Sequence, residues 1–192
     1  MPSTLFSGLK LLSVLLLALY PFLVWFGLSG GHHLLLGFFL VLLFLLRFSL
    51  LQGLPTELKT LGSLGALIGM LLVLTSLLLK QQALLLYYPV VVNAIFFAVF
   101  SLSLLTDQSL VERLARIKEP DLPAEGIAYT RYVTLAWCVF FIVNGSLALL
   151  TTLLEKMQLW AFYNGFVSYL LIALMMGTEW IVRRKMRNKK TT

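Results

Sequence analysis

Long apolar stretches alternate with short polar segments along this chain. A membrane-spanning helix needs about 20 apolar residues to cross the ~30 Å hydrocarbon core of a bilayer. Six stretches meet or nearly meet that length: residues 9–28, 33–52, 61–79, 83–105, 132–154 and 160–182. The pattern predicts an all-α integral membrane protein, a six-span transmembrane helical bundle that forms one membrane domain over residues 1–192. A short cytoplasmic amphipathic segment is predicted at 106–131 and a basic tail at 183–192.

The first stretch has a second interpretation, as a cleaved signal peptide, because Lys10 precedes its apolar run. That run is longer than the apolar region of an ordinary signal peptide, and the residues around Gly30 make a poor cleavage site. We therefore expect the first span to be retained.

Composition supports insertion into a membrane. Hydrophobic residues make up 60% of the chain, the mean hydropathy is +0.94, and only 12% of residues are charged. Soluble domains are nearer half apolar and carry about twice this share of charge. Most of the protein surface is therefore predicted to face hydrocarbon.

The basic residues cluster at the C-terminal end. A net charge of +7 would suit a nucleic-acid partner, but six of the fifteen Lys and Arg fall in the last ten residues, directly after an apolar stretch. This position argues against nucleic acid and predicts membrane lipids as partners, with headgroup contacts from Arg183, Arg184, Lys185 and Arg187. Glu179, one turn before Arg183, is expected to pair with it.

Charge asymmetry also predicts the orientation. If the N-terminus is cytoplasmic and six spans alternate, thirteen of the fifteen basic residues lie on the cytoplasmic side, and only Lys80 and Lys156 lie on the other. Because basic residues favour the cytoplasmic side, both termini are predicted to be cytoplasmic. Arg47 lies close enough to the inner end of its span for its side chain to snorkel to the headgroups.

Polar residues inside the predicted spans suggest a site. Asn93, Asn144 and Asn164 lie in spans four, five and six, with Asn144 near mid-depth and the other two nearer the outer face. They are predicted to form an intramembrane polar cluster together with Tyr88, Tyr163 and Ser146. Two interpretations stay open: a site for a polar ligand or ion, and interhelical hydrogen bonds. The spans contain no deep carboxylate, which argues against proton-driven transport.

Two Tyr-Pro pairs, Tyr20-Pro21 and Tyr88-Pro89, suggest an internal repeat of three spans. The first proline lies late in its span and the second lies early, so both fall near the outer face, which an inverted repeat would not produce. We expect tyrosines at the membrane interface and prolines near helix starts instead.

Small residues form a stripe in the third span, at Gly62, Gly65, Ala66 and Gly69. Such a stripe allows another helix to approach closely. Packing within the bundle and a homodimer face both fit, and the first is favoured.

The cytoplasmic segment begins with Ser109 and Glu112, which have the spacing of a capping box. Leu110, Leu114 and Ile117 are predicted to form the apolar stripe of an amphipathic helix of about ten residues along the inner surface, with Glu112 turned away from it. Two prolines in residues 119–123 end this helix.

Charged residues in this segment form a candidate interaction surface: Arg113, Arg116, Glu119, Asp121, Glu125 and Arg131. Their spacing matches no calcium loop and no metal-dependent transferase pattern. Adjacent His32 and His33 lack a third ligand, and Cys138 is a single cysteine in an apolar run. We predict no catalytic residue, no metal and no cofactor.

Residues 109–145 also carry a family resemblance. A basic amphipathic segment with Leu122-Pro123 precedes a span with the run T-L-A-W-C-V-F-F-I at 134–142. This arrangement resembles the intracellular septation protein A family of small bacterial inner-membrane proteins, in which a Leu-Pro segment precedes N-L-A-W-x-V-F-F-I. The resemblance covers part of the second half of the chain, and the first half agrees in architecture alone. The chain is also similar to a group of proteobacterial membrane proteins with YPVxVN, EPDLP and a basic tail, here at 88–93, 119–123 and 183–192.

The resemblance implies a non-enzymatic accessory protein of the bacterial inner membrane, acting in envelope biogenesis or division through contacts with other inner-membrane proteins. A second hypothesis is a small transporter or flippase for a lipid or polyene-type product, since some of the similar proteobacterial proteins are encoded near fatty-acid-synthase-like or aryl-polyene genes. This second hypothesis requires the three asparagines to line a cavity. A third is an enzyme acting on membrane lipids through Glu119 and Asp121.

Overall fold

A computed structural model describes residues 8, 12–51, 56–117 and 119–188; side chains are described for all of these except 57, 58 and 185–188. The described chain consists of helices and the turns that join them. The helices are α1 (Leu12–Ala18), α2 (Tyr20–Ser29), α3 (His33–Leu50), α4 (Thr56–Leu79), a 3₁₀ segment (Gln82–Tyr87), α5 (Tyr88–Ser103), α6 (Leu110–Arg116), α7 (Ala124–Leu153), α8 (Met157–Phe162), a π segment (Tyr163–Val167) and α9 (Ser168–Asn188).

Five helical segments among the described residues are long and apolar enough to cross a membrane, and α1 with α2 makes a sixth if the pair counts as one bent span. The prediction of an all-α chain with several helices of membrane-spanning length is confirmed. The spans start at α3, α4, the 3₁₀ segment, α7 and α8, close to the predicted boundaries. The clearest shift is α7, which begins at Ala124 directly after Pro123 instead of at 132.

The first predicted span is bent. α1 and α2 meet at an angle of 60°, and Pro21 lies in the first turn of α2. Because proline has no amide hydrogen, it cannot donate the helical bond to the carbonyl of Leu17. Residues 9–11 of the predicted span lie outside the described residues.

The fourth span starts with a 3₁₀ segment that brings Tyr88 into the bundle. Pro89 is the second residue of α5 and cannot donate to the carbonyl of Leu85. That carbonyl accepts from the Tyr88 amide of the 3₁₀ turn and, at 2.8 Å, from the Tyr20 hydroxyl. The indole nitrogen of Trp160 donates to the carbonyl of Leu86 at 3.0 Å. Side chains from two other spans thus complete the backbone hydrogen bonds of this junction.

The tyrosines of the two Tyr-Pro pairs are covered by neighbouring helices. Tyr20 is only 2% exposed, and its ring packs against that of Tyr88 at a centroid distance of 4.6 Å. Phe44 packs against the Tyr88 ring from α3, at 5.4 Å. Both tyrosines lie inside the bundle because the 3₁₀ segment and the bend at Pro21 turn them inward. The expected positions of the prolines near helix starts are confirmed.

The small-residue stripe of α4 packs within the chain. A side chain at Gly69 would meet the ring of Phe44, and one at Gly62 would meet Leu51 at 2.6 Å. Gly65 faces open space. The face formed by Gly62 and Gly69 is therefore covered by α3, as the favoured interpretation predicted.

The second half of the bundle is built on α5 and α7. An aromatic cluster joins them: Phe96 and Phe100 of α5 pack against Phe141 at 5.2 and 5.1 Å, and Trp137 stacks on Phe141 at 5.5 Å. By contrast, α9 is sparsely packed, since only 6% of the most apolar stretch within Met157–Arg184 is buried. Few side chains of α9 are therefore covered by the rest of the bundle.

The cytoplasmic helix α6 follows the prediction only in part. Ser109 caps it and accepts from the amide of Glu112 at 3.4 Å, as the capping box predicted. The helix has seven residues, however, and Ile117 is 55% exposed while Glu112 is 2% exposed. The predicted stripe is therefore correct at Leu110, which is 2% exposed, and wrong at Ile117. The carboxylate of Glu112, predicted to point away from the stripe, is buried and bonds Arg116 at 2.9 Å.

The C-terminal residues are more helical than predicted, because α9 continues to Asn188. The expected pair of Glu179 and Arg183 forms at 2.8 Å and stabilises this extension. The Tyr129 hydroxyl of α7 donates to the carbonyl of Glu179 at 3.3 Å, which ties α9 to α7 at this end.

Candidate intramembrane ligand site

A cavity of ≈ 320 Å³ lies between the α1–α2 bend, α5, α7 and the segment from Asn164 into α9. Its lining includes four of the six residues of the predicted polar cluster: Tyr88, Asn93, Asn144 and Asn164. Cavities of about 300–1,000 Å³ are typical of small-molecule sites. The cavity therefore has the dimensions of a ligand site and lies among helices long enough to span a membrane.

Asn144 of α7 is the centre of a hydrogen-bond network. Its amide nitrogen donates to the amide oxygen of Asn93 at 3.0 Å and to the hydroxyl of Ser168 at 2.9 Å. Its amide oxygen accepts from the hydroxyls of Tyr163 at 2.9 Å and Ser168 at 3.1 Å. We call these four residues the asparagine network; they link α5, α7, the π segment and α9.

A glycine makes the contact between α5 and α7 possible. A side chain at Gly145 would meet the Cβ of Asn93 at 3.0 Å, closer than nearly all real contacts of that kind. The absence of a side chain there lets α5 approach α7 until Asn93 reaches Asn144. The direct bond also places Asn93 at the depth of Asn144, and not nearer the outer face as predicted.

The π segment explains why Tyr163 and Ser168 both reach Asn144. These residues are five positions apart, and in an α-helix they would point about 140° away from each other. A π-helix bonds residue i to residue i+5 and brings such positions to one face. The local departure from α-helix at Tyr163–Val167 therefore builds one side of the asparagine network.

Asn164 lines the same cavity but is not bonded to the asparagine network. Its amide nitrogen donates to the Thr151 hydroxyl at 3.2 Å and to the Trp160 carbonyl at 2.9 Å. The prediction that Ser146 belongs to the cluster is wrong, because Ser146 lies on the exposed side of α7 and outside the cavity lining. Residues of one helix face recur every three to four positions, and Ser146 is two positions from Asn144.

The remainder of the cavity is aromatic and apolar. Its lining also contains Leu17, Tyr20, Pro21, Pro89, Val92, Phe96, Phe100, Trp137, Phe141, Ser168, Tyr169 and Ile172. None of the described lining residues carries a charge. Arg47 of α3 lies within electrostatic range of Tyr88 but is not part of the lining.

Some side chains of the cavity lining are accessible from outside the bundle. Leu17 and Ile172 are half-buried, and Tyr169 is 40% exposed. In a bilayer, these side chains would border lipid.

The arginines of the predicted cytoplasmic surface brace the loop that carries them. Arg113 donates to Thr106 and to the Gln108 carbonyl. Arg116 donates to the Pro120 carbonyl at 2.7 Å, in addition to its bond with Glu112. Arg131 donates to the Leu104 carbonyl at 2.7 Å.

The acidic members of that predicted surface, Glu119, Asp121 and Glu125, are exposed. Together with the arginine bonds, their exposure makes the segment an ordered turn with an acidic exterior.

At the basic end, Arg183 bonds Glu179, and the Arg184 guanidinium lies 5.4 Å from the centre of the Trp180 ring. The side chains of Lys185 and Arg187 lie outside the described residues. Among the described residues, no group of three or more His, Cys, Asp or Glu could hold a metal ion.

Ser168 is the functional candidate that the sequence interpretation missed. It follows Asn164 by four residues, which on a regular helix gives the same face. On a regular helix, Ser168 would lie beside Asn164. The π segment turns Ser168 toward Asn144 instead.

No protein-family model, curated protein or solved structure matches the chain. The resemblance to the septation family therefore stays a prediction. Fold and site together define a class: a helical protein with five or six segments of membrane-spanning length and a polar and aromatic cavity between its helices.

Proposed function

We propose that this protein binds a lipid-derived, mostly apolar molecule in the cavity, as a small carrier or flippase of the bilayer. The observation that carries the proposal is the cavity itself, which combines an apolar and aromatic lining with the asparagine network inside membrane-spanning helices. Apolar surroundings with a few placed polar groups are typical of binding sites for small molecules. The partial exposure of Tyr169 in the lining supports entry from the lipid phase.

The proposal includes the bacterial inner membrane as location, six spans, and cytoplasmic N- and C-termini. Its support is the charge asymmetry, in which thirteen of fifteen Lys and Arg fall on the proposed cytoplasmic side. It assigns no catalytic chemistry to the cavity, because the described polar groups there are amides and hydroxyls.

The test is a comparison of two tryptophan variants in the same helix. Ile172→Trp introduces a larger side chain into the cavity lining, whereas Leu170→Trp adds the same group at a position that is 50% exposed and outside the lining. Each protein is purified in mild detergent, and the bound lipids are identified by native mass spectrometry and by extraction.

We expect wild type and Leu170→Trp to retain a defined bound molecule, and Ile172→Trp to lose it. Equal retention by both variants, or no defined molecule in the wild type, would contradict the proposal. Matched circular dichroism spectra of the two variants check that each is folded.

A second candidate function is the accessory role, exerted through contacts with other inner-membrane proteins. The observation that favours it is the ordered turn after α6, where Arg116 fixes the Pro120 carbonyl and Asp121 is exposed. A preordered surface loses less conformational entropy when a partner binds.

A photo-crosslinking residue at position 121 tests this role in cells, with the same residue at exposed Leu78 as the control. One specific protein adduct from position 121 alone supports the accessory role. Adducts with lipid alone, or the same adducts from both positions, refute it.

A further inference from the structure

The asparagine network leaves specific hydrogen-bonding groups for a ligand. Both amide hydrogens of Asn144 and its amide oxygen are used within the network. An asparagine amide has two hydrogens, and the one described donor bond of Asn93 goes to the Pro89 carbonyl at 2.8 Å. One amide hydrogen of Asn93 therefore remains as a donor at the cavity.

Asn164 supplies the complementary group. Both of its described hydrogen bonds use the amide nitrogen. Its amide oxygen remains as an acceptor in a residue that lines the cavity. Two residues of the lining thus supply one donor and one acceptor, the pair that a single hydroxyl group satisfies.

Charge complementarity points to an uncharged ligand head. No described lining residue carries a charge, and an ionised group without a partner is costly in a low-dielectric site. Arg47 lies outside the lining and is the basic residue of α3, which makes an anionic head the competing possibility that the experiment must exclude.

The shape of the cavity favours one apolar chain. Phe100, Trp137 and Phe141 form an aromatic end. The lining residues of α7 from Trp137 to Asn144 cover seven positions, or about 10 Å along the helix axis. A chain that extends from the asparagines along the aromatic end would fill this length.

We infer that the ligand is a single-chain amphiphile with an uncharged head that both donates and accepts a hydrogen bond, such as a long-chain alcohol. Its hydroxyl accepts from Asn93 and donates to Asn164, and its chain lies against Phe100, Trp137 and Phe141. This inference rests on the proposed function and specifies the chemical class of its ligand.

The experiment measures binding of four radiolabelled probes with one chain length: dodecanol, dodecylamine, dodecyl phosphate and dodecane. The full-length protein is placed in lipid nanodiscs, and binding to empty nanodiscs is subtracted. We expect dodecanol to bind the wild type at least about tenfold more tightly than either charged probe. Asn164→Leu should weaken dodecanol by about 2- to 12-fold, the value of one neutral hydrogen bond, while dodecane binding is unchanged.

The possible results separate the inference from the proposed function. If no probe binds the wild type, both fail. If the charged probes bind as tightly as dodecanol, the inference of an uncharged ligand head is wrong, while the proposed function stands. A preference for dodecyl phosphate would indicate an anionic head held near Arg47. If Asn164→Leu retains dodecanol affinity, the assignment of the head to the asparagines is wrong. Should that variant fail to fold, the selectivity of the wild type still decides the question.

Discussion

Substitution of Asn144 by leucine tests whether the asparagine network holds α5, α7 and α9 together. Leucine has a similar size and branching but neither donates nor accepts hydrogen bonds. The change removes the bonds to Asn93, Ser168 and Tyr163, which lie at 2.9–3.1 Å in the intact protein.

The expected magnitude follows from the number of partners. Side-chain hydrogen bonds between membrane helices average about 0.6 kcal/mol and reach about 1.7 kcal/mol. Three partners at the average value give about 2 kcal/mol, and the buried groups left unpaired keep the sum from falling far below this. We therefore expect Asn144→Leu to lower the free energy of unfolding by about 2 kcal/mol, roughly a thirtyfold change in the unfolding equilibrium.

The assay is reversible unfolding in mixed detergent micelles, or steric trapping, followed by tryptophan fluorescence. Ser146→Leu is the matched control, because Ser146 lies on the exposed side of the same helix and its substitution should change stability by less than about 0.5 kcal/mol. A double-mutant cycle with Asn93→Leu isolates the Asn93–Asn144 bond, for which we expect a coupling energy of about 0.6 kcal/mol or more.

Two outcomes would refute this reasoning. In one, Asn144→Leu and Ser146→Leu have the same stability within error. In the other, the double-mutant cycle gives no coupling between Asn93 and Asn144. Either result would mean that the bundle is held by packing alone and that the network contributes no net stability.

Two further substitutions test the helix contacts around the cavity, each by the same unfolding assay. Gly69→Ala should destabilise the protein by about 1–3 kcal/mol, because its methyl group would meet the ring of Phe44. Its control, Gly65→Ala, should be neutral or slightly stabilising, because the new methyl group meets nothing within 4 Å. Equal losses of stability at both positions would contradict the packing of α3 on α4. Tyr20→Phe should cost about 0.5–1.5 kcal/mol, because the Leu85 carbonyl loses the hydroxyl donor at 2.8 Å and keeps only the Tyr88 amide. An unchanged stability would show that the hydroxyl bond contributes nothing.

The pattern of apolar residues was sufficient to predict the spans, because a hydrocarbon core imposes one length on every helix that crosses it. Capping at Ser109 and the pair of Glu179 and Arg183 were predictable for a similar reason, since both depend on residues within one helical turn. Local chemistry of this kind is readable without tertiary structure.

Features that depend on departures from the regular helix were not predictable. The inward position of Tyr20 depends on the 60° bend beside Pro21, and the contact of Ser168 with Asn144 depends on a single π segment. Sequence periodicity assumes 3.6 residues per turn, so both features fall outside what it can indicate. The burial of Glu112 was also missed. A lone carboxylate would be expected at the surface, but the ion pair with Arg116 compensates its charge.

The most direct test of the central proposal is to locate a bound amphiphile within the protein. A dodecanol analogue with a photoreactive diazirine at the end of its chain is bound to the protein in nanodiscs, irradiated, and the labelled peptides are identified by mass spectrometry. The account predicts labelling concentrated on the aromatic end, at Phe100, Trp137 and Phe141, and its loss in Ile172→Trp. Labelling spread over exposed positions such as Phe38 and Leu78, and unchanged in that variant, would contradict the account.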